Sequence, residues 1–403
     1  MLNLNKAVLL MMTTTPYRSI FILTAIFALR MLGLFMILPI LSLYAQNLNN
    51  ITPLLIGIAL GCYGLSQALL QIPFGLLSDF FGRKPVIIAG LLLFILGSLI
   101  AANGHSILTL ILGRTLQGSG AIGSVLIALA TDLTPAENHS KAMAIMGIGI
   151  GGSFFVAMLV GPVIYSYWSI QGIFYLTTIL ALLCLIFFIP KLPSIAPKPQ
   201  DPRLIGRKLQ EIFILPNLLR CNYGVFTLHA ILTACFVIIP INLQQHGITP
   251  NQQWKVYLPV MLAAFIVVFP IISLAEKKKI TKSLFICTII SLMIGCIFLI
   301  STNQNLIKII IGLWILLTAF AILEANLPAL VARFAPSTSK GTAMGVYSTS
   351  QFLGIFIGGI SGGWLYGQFQ AVGIGSFCLV LCLVWLLISF EMTNPHKIKQ
   401  YIA

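Results

Sequence analysis

The sequence predicts an all-α polytopic membrane protein in which twelve transmembrane helices form two pseudo-symmetric bundles of six. Its 403 residues are 59% hydrophobic and only 8% charged, a composition that excludes an ordinary soluble domain. Apolar stretches of roughly 20 residues, the length that a helix needs to cross a bilayer, recur along the chain. Lys and Arg gather in the connections on one side of these stretches.

The apolar stretches define the predicted spans in chain order. Spans 1 to 12 cover residues 19–44, 54–77, 85–103, 106–131, 140–165, 171–190, 217–245, 254–275, 281–301, 306–333, 340–366 and 371–391. The predicted domain division follows from them: a cytoplasmic tail at 1–18, one bundle at 19–190, a cytoplasmic central loop at 191–216, a second bundle at 217–391, and a cytoplasmic tail at 392–403.

The basic residues predict the orientation. Of the 23 Lys and Arg residues, Arg30 and Arg114 fall inside spans, and Lys255 and Lys308 lie in non-cytoplasmic segments, which leaves 19 in cytoplasmic ones. This positive-inside distribution predicts a multi-pass protein of a bacterial inner membrane with both termini in the cytoplasm. The net charge of +15 then reflects topology and contact with anionic membrane lipid, and we expect no nucleic-acid binding.

The eight Cys residues lie within spans or at their ends, as small apolar residues do, so we expect no disulfide framework. Cys378 and Cys382 share a helix face, but no His or carboxylate is near in sequence, and we expect no metal site. The apolar run from Val8 to Met12 is too short for a cleavable signal peptide.

The two halves of the chain repeat one another at an offset of about 200 residues, as in transporters built from parallel repeats. Pro39 corresponds to Pro240, Asp79 to Glu276, and Lys141 to Lys340. An even number of spans in each half relates the bundles by an axis along the membrane normal. Such a pair of bundles favours a binding site near mid-membrane that opens alternately to each side.

The connection between spans 2 and 3 runs from Gly75 to Lys84 and contains Asp79, Gly82 and Arg83. Gly75 permits close helix approach, and Gly82 can adopt the positive φ of a tight reversal. Asp79 can stabilise the N-terminus of a neighbouring helix, and Arg83 can pair with a carboxylate at the same face. The spacing resembles the loop signature of the major facilitator superfamily, although Phe80 stands where the family usually has a basic residue.

Span 4 holds Arg114, Gln117, Gly118 and Gly120 within the membrane. A fixed charge there is costly, which favours a functional role, although an Arg that only joins helices is an open alternative. The stretch resembles a second motif of the same superfamily, associated there with proton coupling.

Span 5 contains Gly161 followed by Pro162, a pair that allows a helix to bend. The pair resembles the antiporter signature of drug/proton exchangers, with Ala157 and Tyr165 at positions where that signature prefers Gly. A helix that is merely bent is the alternative to an exporter hinge.

Four Arg, His or Glu residues lie deep inside predicted spans rather than at their ends: Arg30, Arg114, His229 and Glu324. Their spans, 1, 4, 7 and 10, are those that line the cavity in the superfamily. Glu324 is the only carboxylate placed deep in a span, about 13 Å from Arg333 along the helix, so we expect it to exchange a proton as the cavity opens to each side. His229 is a further candidate, and a structural hydrogen bond explains it equally well.

Six polar or aromatic residues are candidates for the substrate cavity, and packing or lipid-facing positions explain them equally well. They are Tyr63, Gln67, Gln117, Phe226, Trp314 and Gln351.

From about residue 17 to about residue 390 the chain is similar to bacterial YajR-type transporters, which are twelve-helix drug/proton antiporters. The resemblance implies that Asp79, Arg83 and Asp132 form a cytoplasmic charge relay that locks or releases the span-11 helix. YajR-type chains continue into a small soluble C-terminal domain, which we expect this chain to lack.

The sequence therefore predicts a transporter and not an enzyme, because it has no phosphate loop and no nucleophile or metal cluster. The leading hypothesis is a proton-coupled exporter of small amphipathic compounds that works by alternating access, powered by the proton gradient without a cofactor, and monomeric. The alternative is a proton-coupled or facilitated importer of a nutrient or metallophore.

Overall fold

The computed structural model describes residues 15–46, 48, 51–135, 138–195, 206, 210–300, 305–336 and 339–393. Most of the predicted tails and much of the central loop lie outside the described residues, so the domain boundaries stay predictions. Within the described residues the protein is helical and contains no strand. The long helices are α1 Thr15–Met36, α2 Leu38–Ala45, α3 Pro53–Phe81, α4 Arg83–Asn103, α5 Ile107–Ser119, α6 Gly123–Asp132, α7 His139–Leu183, α8 Pro216–Gln245, α9 Trp254–Lys277, α10 Thr281–Ile300, α11 Leu306–Phe334 and α12 Lys340–Phe390.

Ten helical segments of the described chain are long and apolar enough to cross a membrane. Two of them have 51 residues, which is about 77 Å of helix against a hydrocarbon core of about 30 Å. Each contains a break: Trp168 and Ser169 in α7 and Gln370 in α12 leave helical geometry. Each long segment is therefore two spans joined at a reversal, and the total is twelve.

Two predicted single helices are interrupted. Span 1 breaks at Ile37, just before Pro39 at the start of α2, because a proline fits the first turn of a helix better than its interior. Span 4 breaks at Gly120 and Ile122 between α5 and α6. The sequence interpretation treated both as continuous.

The ends of the helices define two membrane faces. We call the basic face the side where α3, α6, α9 and α11 end, next to Arg83 and Arg333. The far face is the opposite side, where α3, α5, α9 and α11 begin. At far-face ends the Thr52 and Ser106 side chains accept hydrogen bonds from the backbone amides of Leu55 and Thr109. Such caps satisfy amides that have no partner within the helix.

Large apolar side chains cover the outside of the bundle, such as Leu69, Ile266 and Leu387, which are 63%, 74% and 68% exposed. An apolar outer surface of this kind is a membrane-facing surface, since a soluble monomer rarely exposes a wide apolar patch. Between the two halves α3 packs along the first part of α12, and α2 packs against α8.

Candidate functional site

Glycines bring α3 and α12 into backbone contact in the half of the molecule toward the far face. A Cβ atom added at Gly57 would overlap the carbonyl oxygen of Gly359, and one added at Gly61 would lie 2.9 Å from the carbonyl oxygen of Phe356. A Cβ atom added at Gly363 would likewise overlap the carbonyl oxygen of Pro53. Only residues without a side chain allow two helices to approach so closely. We call these contacts the glycine seam.

Further contacts join the halves on the same side. The Ser42 hydroxyl of α2 donates to the carbonyl oxygen of Phe236 in α8 at 3.0 Å. The rings of Phe155 in α7 and Phe265 in α9 lie 3.8 Å apart between centroids. Together with the glycine seam, these contacts close the space between the halves toward the far face.

A cavity lies between the halves toward the basic face. The space there amounts to about 590 Å³, part of it open to solvent. Its walls are largely apolar and come from spans 1, 4, 5, 10 and 11: Phe27, Met31, Ile127, Met143, Met146, Gly147, Ile150, Pro328 and Met344. Its polar lining consists of Glu324, Tyr347, Ser348 and Gln351.

Glu324 and Gln351 belong to a polar cluster with His229 at the wall of this cavity. The Gln351 Nε2 atom lies 2.8 Å from His229 Nε2 and 3.4 Å from Glu324 Oε1. Glu324 Oε2 is 3.8 Å from His229 Nε2. The Glu324 side chain is 14% exposed, whereas that of His229 is fully buried. The cluster joins α8, α11 and α12, and only its carboxylate and amide reach the cavity.

The backbone fixes the orientation of the His229 ring. Its Nδ1 atom lies 3.1 Å from the carbonyl oxygen of Val225, one turn earlier in α8. Because a carbonyl oxygen only accepts, Nδ1 carries the proton, which leaves Nε2 to accept from the Gln351 amide. The ring also packs edge-on against Phe320 of α11 at 5.4 Å.

Arg30 and Arg114 lie in the other half, away from the cavity lining, and both pack around Tyr63. Arg30 Nη2 donates to the Tyr63 hydroxyl at 3.2 Å and to Gln67 Oε1 at 3.0 Å. The Arg114 guanidinium lies 4.8 Å from the centre of the Tyr63 ring. Among the described residues neither guanidinium forms an ion pair; the arginines that do are Arg83, Arg220 and Arg333.

Three of the candidate cavity residues, Tyr63, Gln67 and Gln117, contact Arg30 or Arg114 instead. Gln67 accepts from Arg30 and donates to Gln71 Oε1 at 3.0 Å. Gln117 accepts from Arg114 at 3.0 Å and donates to Ser98 at 2.7 Å. With Tyr63 they are fully buried and absent from the cavity lining. Buried guanidinium groups need such acceptors, which explains their position.

Of the three remaining cavity candidates, one lines the cavity and two do not. Gln351 lines the cavity, as predicted. Phe226 does not line it: its carbonyl oxygen contacts Gly354 of α12, and its ring packs beside Tyr223. Trp314 is half-buried in α11 and is also absent from the lining. The sequence missed the apolar walls, because Phe27 and the methionines resemble ordinary packing residues.

The predicted charge relay forms at the basic face. Arg83 pairs with Asp79 at 2.5 Å, and its Nε atom donates to Asp132 Oδ2 at 3.0 Å. Its Nη1 atom also donates to the Ser78 hydroxyl. Gly82 has a φ of 89°, which a glycine adopts without strain. Lys84 takes no part in these contacts.

Two details of the relay differ from expectation. A Cβ atom at Gly75 would meet Ser124 Oγ at an ordinary 3.5 Å, so helix approach does not require glycine there. Asp79 does not cap the span-11 helix either: α12 begins after Ser339 with no side-chain cap. A Cβ atom at Gly341 or Gly345 would meet nothing within 4 Å. Among the described residues the hydrogen bonds and ion pairs of Asp79, Arg83 and Asp132 do not reach the start of α12.

The helix is continuous through Gly161 and Pro162, and α7 breaks only later, at Trp168 and Ser169. A Cβ atom at Gly161 would lie 2.7 Å from the carbonyl oxygen of Met36. Gly161 thus allows α7 to pack against the end of α1. The hinge role of Gly161 and Pro162 stays a prediction.

Comparisons with known proteins point to one family. The family model described as Major Facilitator Superfamily matches residues 22–280 and 274–401. The Inner membrane transport protein YajR of Escherichia coli is 41% identical over 391 residues, 96% of this chain and 86% of that protein. The Quinolone resistance protein NorA of Staphylococcus aureus is 27% identical over 231 residues, 54% of this chain and 59% of that protein. A crystal structure of an auto-inhibited POT family peptide transporter aligns with a TM-score of 0.71 at 14% identity, over 93% of this chain and 97% of that one.

Proposed function

The chain belongs to the major facilitator superfamily of membrane transporters, and from that premise we propose that it exports small amphipathic compounds in exchange for protons. As a member of this family it is a transporter with a small-molecule substrate and not an enzyme. It is a multi-pass protein of a bacterial inner membrane. The direction of transport, the class of substrate and the coupling to protons are the parts of this proposal that go beyond family membership.

The proposed cycle is alternating access. The glycine seam closes the far face, and the cavity lies toward the basic face. We place the basic face and both termini in the cytoplasm, as the concentration of Lys and Arg there favours, which makes this conformation inward-facing in the proposed cycle. In the opposite conformation the seam would part, and the start of α12 would meet Asp79 and Arg83.

The observation that carries proton coupling is the position of Glu324. Among the described residues it is the only carboxylate deep inside a span rather than at its end, and it lines an apolar cavity beside Gln351 and His229. An ionisable group in this environment marks a proton or substrate pathway. A proton taken from outside would neutralise Glu324, and its release to the cytoplasm would restore the charge. The proton gradient, rather than a bound cofactor, supplies the energy.

The cavity walls support an amphipathic substrate. Phenylalanine and flexible methionine side chains accept varied apolar shapes, and a few polar groups orient them. A relative that carries resistance to quinolones also favours export. Arg114 and Arg30 then hold the N-terminal bundle together around Tyr63 and act on proton coupling only through the position of that bundle. A monomer suffices for the cycle, because one chain supplies both halves.

The experiment uses purified protein in liposomes loaded with a pH-sensitive dye. An imposed pH gradient should drive a fluorescent quinolone in the direction opposite to the protons. Glu324→Gln should abolish coupled proton movement, whereas Glu276→Gln, which removes a carboxylate on the basic face, should preserve it. Equal proton flux in Glu324→Gln and the unmodified protein would overturn the role of Glu324. Movement of the solute with the protons would favour the importer.

A further inference from the structure

Three cysteines from three helices point their sulfur atoms at one another inside the C-terminal half. They are Cys235 in α8, Cys296 in α10 and Cys378 in α12, and their Sγ atoms all lie within 4.8 Å of one another. The Sγ atoms of Cys235 and Cys378 are 4.0 Å apart. All three residues are buried and absent from the cavity lining.

Helix packing explains why a single cysteine is buried, since cysteine behaves as a small apolar residue. It does not explain why three sulfur atoms from separate helices meet at one point. The sequence interpretation considered Cys378 only with Cys382, one turn later on the same helix. The partners that matter lie on α8 and α10, far away in the chain, and no spacing rule links them.

The separations match those of sulfur atoms around a single metal ion. Metal–sulfur bonds of about 2.3 Å place three sulfur ligands about 4.0 Å apart in a trigonal arrangement. Cys235 and Cys378 already have this separation. Cys296 completes the triangle after a movement of less than about 1 Å, which is within the reach of a side-chain rotation.

We propose that Cys235, Cys296 and Cys378 form a binding site for a soft, thiolate-seeking metal ion, of which Cu(I) fits best. Thiolate ligands select such ions, whereas structural Zn²⁺ sites need a fourth ligand that this group does not contain. A monovalent ion also suits an apolar interior, because a single thiolate balances its charge.

Binding would proceed without a change of oxidation state. One thiol loses its proton to water and forms a sulfur–copper bond, and the other two sulfur atoms donate lone pairs to the same ion. The ion would hold α8, α10 and α12 together. Since Cys235 is six residues from His229 in α8, occupancy would also stiffen the helix that supports the polar cluster. The ion is a resident of the bundle and not cargo, because its ligands do not face the cavity.

The test is anaerobic titration of the purified, reduced protein with Cu(I) against a coloured Cu(I) chelator. We expect one tightly held Cu(I) per chain and a rise in the unfolding temperature on binding. Cys235→Ser, Cys296→Ser and Cys378→Ser should each weaken binding by about tenfold or more, because a hydroxyl is a poor ligand for a soft ion. Cys184→Ser, which removes another buried thiol, should leave binding unchanged.

X-ray absorption of the unmodified protein tests the same proposal without any substitution that affects folding. The expected result is three sulfur neighbours at about 2.3 Å from copper. Oxygen or nitrogen neighbours, or equal Cu(I) binding by a triple-serine variant, would overturn the site. Tight binding of Zn²⁺ with no binding of Cu(I) would overturn the assignment of the metal. Each result is independent of the proposed transport cycle.

Discussion

Oε2 of Glu324 and Nε2 of His229 lie 3.8 Å apart, and the Gln351 amide contacts both side chains. The three residues belong to different helices, so a change in the charge of Glu324 acts on the packing of α8 and α12 as well. In the proposed cycle this geometry would link a proton on Glu324 to the helices that move when the glycine seam parts.

Replacement of Gln351 by Leu should weaken this link. The substitution keeps the approximate volume but removes the amide that contacts His229 and Glu324, and it leaves the buried Nε2 of His229 without a donor. We expect a loss of about 1–3 kcal/mol of unfolding free energy together with slower transport. Gln368→Leu, at an exposed position of the same helix, is the control for thermal unfolding. Equal unfolding temperatures would show that the amide contributes nothing to stability.

A large side chain in the glycine seam should prevent closure of the far face. In Gly359→Leu the new side chain overlaps the backbone of Gly57, so α3 and α12 must separate. We expect a cysteine placed at Met31 on the cavity wall to react faster with an impermeant thiol reagent added from the far face. Gly152→Leu, at an exposed position of α7 with open space around it, should not change that rate.

Arg83 should not tolerate replacement by Lys. Its guanidinium contacts Asp79, Asp132 and Ser78 together, which a single ammonium group does not reproduce. We expect Arg83→Lys to reduce transport and lower the unfolding temperature. An ion pair on the same face of the other half, Arg333 with Glu276, is exposed and has one contact at 3.1 Å. Arg333→Lys should therefore change the unfolding free energy by less than about 0.5 kcal/mol.

Tyr63 should stabilise the N-terminal half through two separate contacts. Tyr63→Phe removes the hydroxyl that accepts from Arg30 and should cost about 0.5–1.5 kcal/mol. Tyr63→Leu also removes the ring beneath Arg114 and should cost about 1–2 kcal/mol more. Denaturant or thermal unfolding of both variants in the same detergent separates the contributions. Identical losses would exclude a role for the contact between the ring and Arg114.

The family and the span count were predictable because each rests on a local pattern, whereas Asp132 was linked to Asp79 and Arg83 only through the family resemblance. Length and hydropathy define a span, and the fixed spacing of Asp79, Gly82 and Arg83 defines the loop; the comparisons confirm the family that these motifs resemble. Gln351 lies on the wall of the cavity, and its contact with a substrate stays a prediction.

Side-chain partners across helices were not predictable in the same way. Tyr63, Gln67 and Gln117 have the composition of a polar cavity wall, yet two buried guanidinium groups without carboxylates use them as acceptors. The cysteine triangle depends on the rotation of three helices about their axes. Periodicity in one helix does not define its rotation relative to a neighbour, so such clusters appear only in the folded chain.

The contact between Gly57 and Gly359 consists of main-chain atoms rather than interlocked side chains. Separating these helices would rupture no salt bridge there and leave no side-chain donor unsatisfied. The glycine seam therefore holds mainly through dispersion between smooth surfaces, an attraction that decays within a short distance. A small opening would release most of it, so the seam should switch abruptly instead of widening by degrees.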